Sequence, residues 1–192
     1  KTSRVFEVAR TYRFKKGSGM PISIPVIDMV EIGAGGGSLA HVDSMRQIRV
    51  GPESAGSEPG PACYGRGGQR PAVTDADLVM GKLDPDNFAG GSIKLNADSA
   101  AAALLDVLGK PLNMDAQTAA FGLVEVVDEN MANAARVHAV ENGQDLADYT
   151  MIAFGGAAPL HAARLCEKLE VDRLLVPTGA GVGSAIGFLR AP

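Results

Sequence analysis

Residues 152–163 read IAFGGAAPLHAA, and the rest of the chain is organised around them. A short apolar run, Met151-Ile152-Ala153-Phe154, meets Gly155 and Gly156, and a helical pattern follows at once from Pro159 to Leu169. The pattern predicts a strand, a tight turn and a helix. Pro159 suits an early helical position, because its missing N–H would have no intrahelical partner there. Paired glycines let the backbone bend sharply and let another molecule come close to the main chain. The free N–H groups and the positive end of the helix dipole then face whatever lies over the turn. Such a turn can seat a nucleotide. It is also a common way to join a strand to a helix, and the glycines alone do not decide between the two.

Downstream, Arg173 to Pro177 (RLLVP) reads as a second strand and Ala180 to Leu189 as a glycine-rich helix start. Strand, helix, strand in this order predicts a parallel pair joined by a right-handed crossover. Upstream lies the longest element, a helix from about Ala116 to Asn142, with Asp115 as its cap and Gly143 past its end. Ala120, Val124, Val127, Met131, Ala134 and His138 form one apolar stripe along it, with Val126, Asn130, Asn133 and Val137 beside it. Glu125, Asp128, Glu129 and Arg136 are expected mostly elsewhere. Small residues on this helix predict close packing against a neighbour. Ser99 to Leu108 reads as a short helix stopped by Gly109 and Pro111.

The first half is written in strands and loops. Residues 4–14 read as a strand, 15–20 as a loop, and 22–32 as an apolar stretch with a strand from Val26. Gly33 to Ser38 is too glycine-rich for a regular element. Leu39–Asp43 and Gln47–Val50 read as a hairpin. Residues 51–72 form a long loop with interleaved glycine and proline, and Cys63, Tyr64 and Arg66 within it favour an ordered, shaped loop over a linker. Thr74-Asp75-Ala76-Asp77 opens a short helix ending near Gly81, with Thr74 as cap and the aspartates at its positive end. Residues 84–91 are another loop.

Composition sets bounds. With 192 residues, 46% hydrophobic and a net charge of −4, the chain supports one domain with a real core. No excess of positive charge points to nucleic acid or an anionic membrane. No apolar run approaches the ~20 residues of a membrane span. Cys63 and Cys166 lie far apart, which argues for a reducing compartment, hence a cytoplasmic protein, and against a structural zinc site. Glycine, at 24 residues, is well above the ~7% norm and is clustered in loops. The chain begins at Lys1 without methionine and reads as a segment of something longer.

Several side chains admit both a chemical and a plain reading. His161 sits at a helix start beside the glycine turn, where the dipole would lower its pKa; it is either a site residue or a surface histidine bonded to a carbonyl. His138 is expected as a core histidine, and His41 lies in the hairpin. Cys63 lacks a local histidine or helix start to activate it, which favours a packed small residue over a nucleophile. Asp75 and Asp77 could be a metal or acid/base pair. Their spacing of two places them on different sides of a helix, so capping is the more economical account. Gly33 to Gly37, with Gly35 and Gly36 at its centre, could cradle a phosphate. It lacks both the GK[ST] ending of a P-loop and the GxGxxG spacing.

Three long stretches, IPVIDMVEIGAGGGSLAHVD (24–43), RVGPESAGSEPGPACYGRGG (49–68) and PAVTDADLVMGKLDP (71–85), resemble the hydantoinase A/oxoprolinase family. AFGGAAPLHAARLCEKLEVDRLLVP (153–177) and GAGVGSAIG (179–187) resemble it in the same order, so the likeness covers nearly the whole chain. The family includes ATP-dependent N-methylhydantoinase and 5-oxoprolinase subunits, and subunits of acetone and acetophenone carboxylases.

The resemblance implies an α/β fold with a mixed sheet: part of an actin-like, ribonuclease-H-like ATPase core with long glycine-rich loops. On that basis 1–192 is a single partial domain, the second half of the core. Its strand and glycine-loop region is 1–92, and a helical region with the adenosine-type motif follows at 93–192. Gly155, Gly156, Ala157 and Pro159 would hold ATP, with Gly35 and Gly36 contributing. His161, Asp75 and Arg66 are further site residues to test. The family pattern GGAGPLHA carries glycine where this chain has Ala158, whose methyl would tighten or shift the nucleotide seat. The family's phosphate-gripping GGTxTD loops, which bring an Asp to Mg2+, lie upstream and do not occur before Gly33. Alone, the chain is therefore expected to bind nucleotide weakly or not at all. The implied activity is ATP-dependent hydrolysis of a hydantoin- or oxoproline-type cyclic amide through phosphorylation of its carbonyl oxygen. Ketone carboxylation and a non-catalytic assembly role are the alternatives. The implied partners are a hydantoinase B-type subunit, a small cyclic amide or ketone, and a second copy in a homodimer.

Overall fold

The computed structural model describes residues 2–191 apart from 4–5, 10, 12–16, 25 and 28. The chain divides into two units, Lys1–Glu31 and Ile32–Pro192.

In the first unit, β1 (Thr2–Ser3) pairs antiparallel with β4 (Val26–Ile27), and β2 (Phe6–Val8) with β3 (Met20–Ile22). The predicted strands over 4–14 and 22–32 are thus short pieces, and the predicted loop at 15–20 gives up Met20 to β3. Parts of all three fall on residues outside the description. Gly17 N–H donates to Glu7 Oε1 at 2.7 Å, which joins the β2–β3 connection to its strand.

The second unit opens with the predicted hairpin, β5 (Ser38–Val42) against β6 (Ile48–Ser54), in the register His41↔Arg49; β6 runs on through residues 51–54, predicted as the start of the long loop. Asp43 makes its turn: Oδ1 accepts the N–H groups of Met45 and Gln47, each at 2.9 Å. This is the usual Asx route by which aspartate competes for turns. The short helix α1 (Val73–Val79) follows the long loop. The loop is ordered and packed: Pro61, Ala62, Cys63 and Pro71 are buried, and a single turn, Ala62–Tyr64, interrupts it.

α2 (Ala97–Leu104) does not stop at Gly109. It widens into a π-helical stretch, Leu105–Gly109, and continues as the single turn α3 (Lys110–Leu112). The wider turn lets the helix run on into Pro111, whose ring would collide with the i−4 carbonyl of an ordinary α-helix. It ends instead where Asn113 turns left-handed, with Met114 folding back so that its N–H donates to Gly109 O at 2.9 Å.

α4 (Ala116–Glu141) is the predicted long helix, capped by Asp115, whose Oδ1 accepts Thr118 N–H at 2.7 Å. Its buried face includes Ala120, Val124 and Val127 of the predicted stripe, and adds Leu123, Ala132 and one charged residue, Asp128. Leu104, Leu108, Leu123, Val73 and Val127 form the centre of the core. Each such side chain is worth about 1.5–3 kcal/mol of burial. A methyl on Gly122 would lie 3.0 Å from Ile48 Cδ1, so the close packing predicted for this helix is against β6.

β7 (Met151–Ile152) and β8 (Leu174–Leu175) form the predicted parallel pair, joined through α5 (Ala158–Leu169). α6 (Gly183–Arg190) ends the unit. The single mixed sheet expected for the chain is not what the described residues form. They make four two-stranded sheets, three antiparallel and one parallel. No described helix is long and apolar enough to cross a membrane.

Candidate functional site

Two glycine turns meet at one cleft. The first is the Gly33–Gly37 run before β5. Gly35 N–H donates to Ser38 Oγ at 3.0 Å, and Gly35 O accepts Ser38 N–H at 2.9 Å. α1 fixes this turn, since Thr74 N–H and Thr74 Oγ1 both donate to Gly36 O at 2.8 Å. A methyl on Gly36 would lie 2.9 Å from Thr74 Oγ1 and 3.9 Å from Ala157 Cβ. A side chain there would press on the Thr74 hydroxyl that holds the turn, and Ala157 of the second turn lies just beyond.

That second turn is Gly155-Gly156-Ala157. Gly155 adopts φ 103°, a left-handed conformation that favours glycine, and its N–H donates to Ala180 O at 2.7 Å. Pro159 lies in the first turn of α5, as its sequence position predicts. A methyl on Gly155 or Gly156 would meet nothing within 4 Å, so the space over the bend is open. Among the described residues, the N–H groups of Gly36, Gly37, Gly156 and Ala157 donate to no acceptor.

The cleft measures about 490 Å³ and brings Gly36, Gly37, Thr74, Asp77, Gly156 and Ala157 together. Tyr64, Leu83 and Phe88 supply an apolar wall. The Tyr64 and Phe88 rings are 5.7 Å apart and tilted by 49°. Burial pushes the Tyr64 phenol up. Arg66 is exposed and does not line the cleft. Its guanidinium lies 5.8 Å from the centre of the Tyr64 ring, and Nη1 donates to Ser57 O at 3.5 Å.

Other expected site residues fall elsewhere. Asp75 is fully buried and points away from the cleft. Its carboxylate accepts Cys63 N–H at 2.7 Å, Ala72 N–H at 2.8 Å and Ala62 N–H at 3.2 Å. It caps α1 and anchors the long loop in one group. Thr74 is therefore not the cap; Ala72 holds that position. Cys63 is packed, and burial followed by the Asp75 charge pushes its thiol up and away from reactivity. Gly35 shapes the first turn without lining the cleft. His138 is half-buried, and His41 is exposed.

His161 departs most from expectation. It is 3% exposed and lies between two carboxylates. Nδ1 is 2.7 Å from Asp128 Oδ1 and Nε2 is 3.1 Å from Asp77 Oδ2. Burial opposes its charge most strongly, but the hydrogen bonds and charges of Asp128 and Asp77 outweigh burial and hold the pKa at about 9. The expected lowering by the helix dipole is overturned, because two carboxylates in contact exceed a partial charge at a helix end. As an imidazolium the ring donates from both nitrogens, one to each carboxylate. Asp77 does not cap α1 either: besides His161, its Oδ1 lies 3.2 Å from Lys82 Nζ. Asp128 Oδ2 has no partner among the described residues. Sequence reasoning missed this cluster. The available signal was a carboxylate at position 128 in register with Val124 and Ala132, a buried charge in need of a buried cation.

The cleft fits a nucleotide on its own chemistry. Free N–H groups from two turns and a helix N-terminus suit phosphate oxygens, and an aromatic wall suits a base. A divalent metal fits less well: Asp77 and Asp84 line the cleft, Asp77 is engaged, and no described group of three His, Cys, Asp or Glu is placed to hold an ion.

A family model described as hydantoinase/oxoprolinase matches residues 2–192. The chain is 41% identical to caprolactamase subunit alpha of Pseudomonas jessenii over 86% of this chain and 24% of that one. It is 40% identical to the acetophenone carboxylase gamma subunit of Aromatoleum aromaticum over 86% of this chain and 22% of that one. The crystal structure of the ATP-dependent caprolactamase from Pseudomonas jessenii superposes with a TM-score of 0.80 at 40% identity, covering 88% of this chain and 25% of that one. The chain thus spans about a quarter of the length of such relatives.

Proposed function

The chain belongs to the hydantoinase/oxoprolinase family, and on that premise we propose that it forms the adenosine side of the nucleotide site in an ATP-dependent cyclic-amide hydrolase. The observation that carries this reading is the meeting of two glycine turns, through Gly36-Gly37 and Gly156-Ala157, at one open cleft, with Gly155 and Pro159 flanking the second turn outside its lining. A strand, a paired-glycine bend and a helix beside a second glycine turn also support the second half of an actin-like ATPase core. The caprolactamase likeness supports a lactam or related cyclic amide as substrate.

Bound ATP would supply the phosphoryl group that turns a carbonyl oxygen into a leaving group. Such transfer depends on positioning and charge neutralisation more than on covalent help from the protein. Gly156, Ala157 and the first turn of α5 would hold the ribose and α-phosphate by main-chain N–H groups. Gly36 and Gly37 would face the outer phosphates, and Tyr64 with Phe88 would pack the base. Mg2+ would be held chiefly by upstream phosphate-gripping loops outside this chain, and a hydantoinase B-type subunit would be the partner.

A second reading rests on the acetophenone carboxylase likeness. There the same phosphorylation would activate a ketone for carboxylation. ADP release by the full-length protein with its partner separates the two. Release with lactams, hydantoins or 5-oxoproline, accompanied by ring opening, is the expected result. Release only with a ketone and bicarbonate would replace it by the second reading. No nucleotide effect of any kind would leave an assembly module.

A further inference from the structure

The nucleotide reading leaves the buried Asp77–His161–Asp128 cluster without a task. α1 holds the first glycine turn directly and reaches the second only through α5. Thr74 grips Gly36 O from the second residue of the helix, and Asp77, three residues on and on the same face, grips His161 of α5. α5 in turn begins at the Gly155-Gly156-Ala157 bend. The distance between the two turns is therefore set by one helix through two side-chain links.

Resting on the nucleotide reading of the cleft, we propose that His161, held as an imidazolium between Asp77 and Asp128, is a positioning residue that clamps the Gly155–Ala157 turn to the Gly36 turn through α1, and that nucleotide affinity requires its proton. A neutral imidazole has one N–H and one bare nitrogen, so it can serve only one of the two carboxylates. The Asp128 bond, at 2.7 Å, is the shorter, and Asp128 Oδ2 has no other described partner. Asp77, at 3.1 Å, has the Lys82 ammonium as a second, ionic partner, 3.2 Å from its Oδ1, although that oxygen, like Asp128 Oδ2, accepts no hydrogen bond among the described residues. The remaining proton stays with Asp128, and the link that opens is the one to Asp77, between α5 and α1.

Asp77 from α1 and Asp128 from α4 are the charged groups that face the ring, with Lys82 behind Asp77. β8 brings only Leu174 and Leu175. Arg164, Lys168, Glu125 and Glu129 pair along the outer α4–α5 seam with one another and with Glu167 and Arg136.

The test uses the full-length protein with its partner and measures ATP affinity by calorimetry from pH 7.5 to 10. A circular dichroism spectrum at each pH checks that the fold persists. Wild type is expected to weaken about tenfold as pH rises through about 9, a typical coupling between two linked sites. His161→Asn keeps a donor near the Nδ1 position, for Asp128, but carries no charge and has no donor for Asp77; its affinity should be low at pH 7.5 and flat with pH. Asp77→Asn preserves shape and removes one carboxylate, so the midpoint should move to lower pH. ATP binding with the same profile in wild type and both variants would overturn the inference and leave the nucleotide site standing. No ATP binding at any pH would overturn both.

Discussion

Folding this chain takes two carboxylates, Asp77 and Asp128, out of water, and His161 between them makes that tolerable. An isolated buried charge costs several kcal/mol, and breaking such a cluster by removing one member is strongly destabilising. The pKa of about 9 against an ordinary 6.5 also links the cluster to stability. Because the folded value is raised, the contribution is fully present below pH 6.5 and is lost as pH climbs through about 9; it amounts to roughly 3 kcal/mol. Urea unfolding of wild type should therefore show stability falling between pH 7 and pH 10, and His161→Gln should be weaker at pH 7 with a smaller fall. Parallel curves would refute the assignment. Asp75→Ala should cost about 3 kcal/mol or more, because three buried N–H groups lose their acceptor; the same urea measurement reads it. At this scale the sequence was only partly legible. His161 and Asp75 stood out by position, whereas Asp128 did not, because its partner lies 33 positions away.

Elements were more legible where periodicity was long. The strand, glycine bend and helix at 151–169 and the long helix from Ala116 were readable, because caps and apolar spacing agree there. The 97–112 region was not: glycine and proline normally end a helix, and a π-helical widening is visible only in the backbone. The long loop was legible as ordered but not in how it is held. Three N–H bonds to Asp75 hold it, together with a close approach of its own backbone. A methyl on Gly68 would collide with Gly60 O. Gly68→Ala is expected to destabilise the protein clearly, by about 1–3 kcal/mol for a strained, overpacked site, and the thermal midpoint should fall accordingly. An unchanged midpoint would mean that the loop does not close on itself. In the core, Leu123→Ala should cost about 2–5 kcal/mol, read by the same thermal scan.

For the whole molecule, four two-stranded sheets in place of one mixed sheet fit a chain that spans about a quarter of its relatives' length. Strands of two to seven residues leave too little local alternation to read a sheet order from. The same partial span bears on nucleotide binding. The isolated chain should gain little or no thermal protection from ATP, whereas the full-length protein should gain several degrees, since a ligand of the native state stabilises it. Equal protection of both would show that upstream loops add nothing to the phosphate grip. The most direct measurement is a crystal structure of the full-length protein with a non-hydrolysable ATP analogue. The account predicts the adenosine over Gly155, Gly156 and Ala157, with the outer phosphates toward Gly36 and Gly37. An analogue bound elsewhere, with the space above the Gly155-Gly156 bend unfilled, would contradict it.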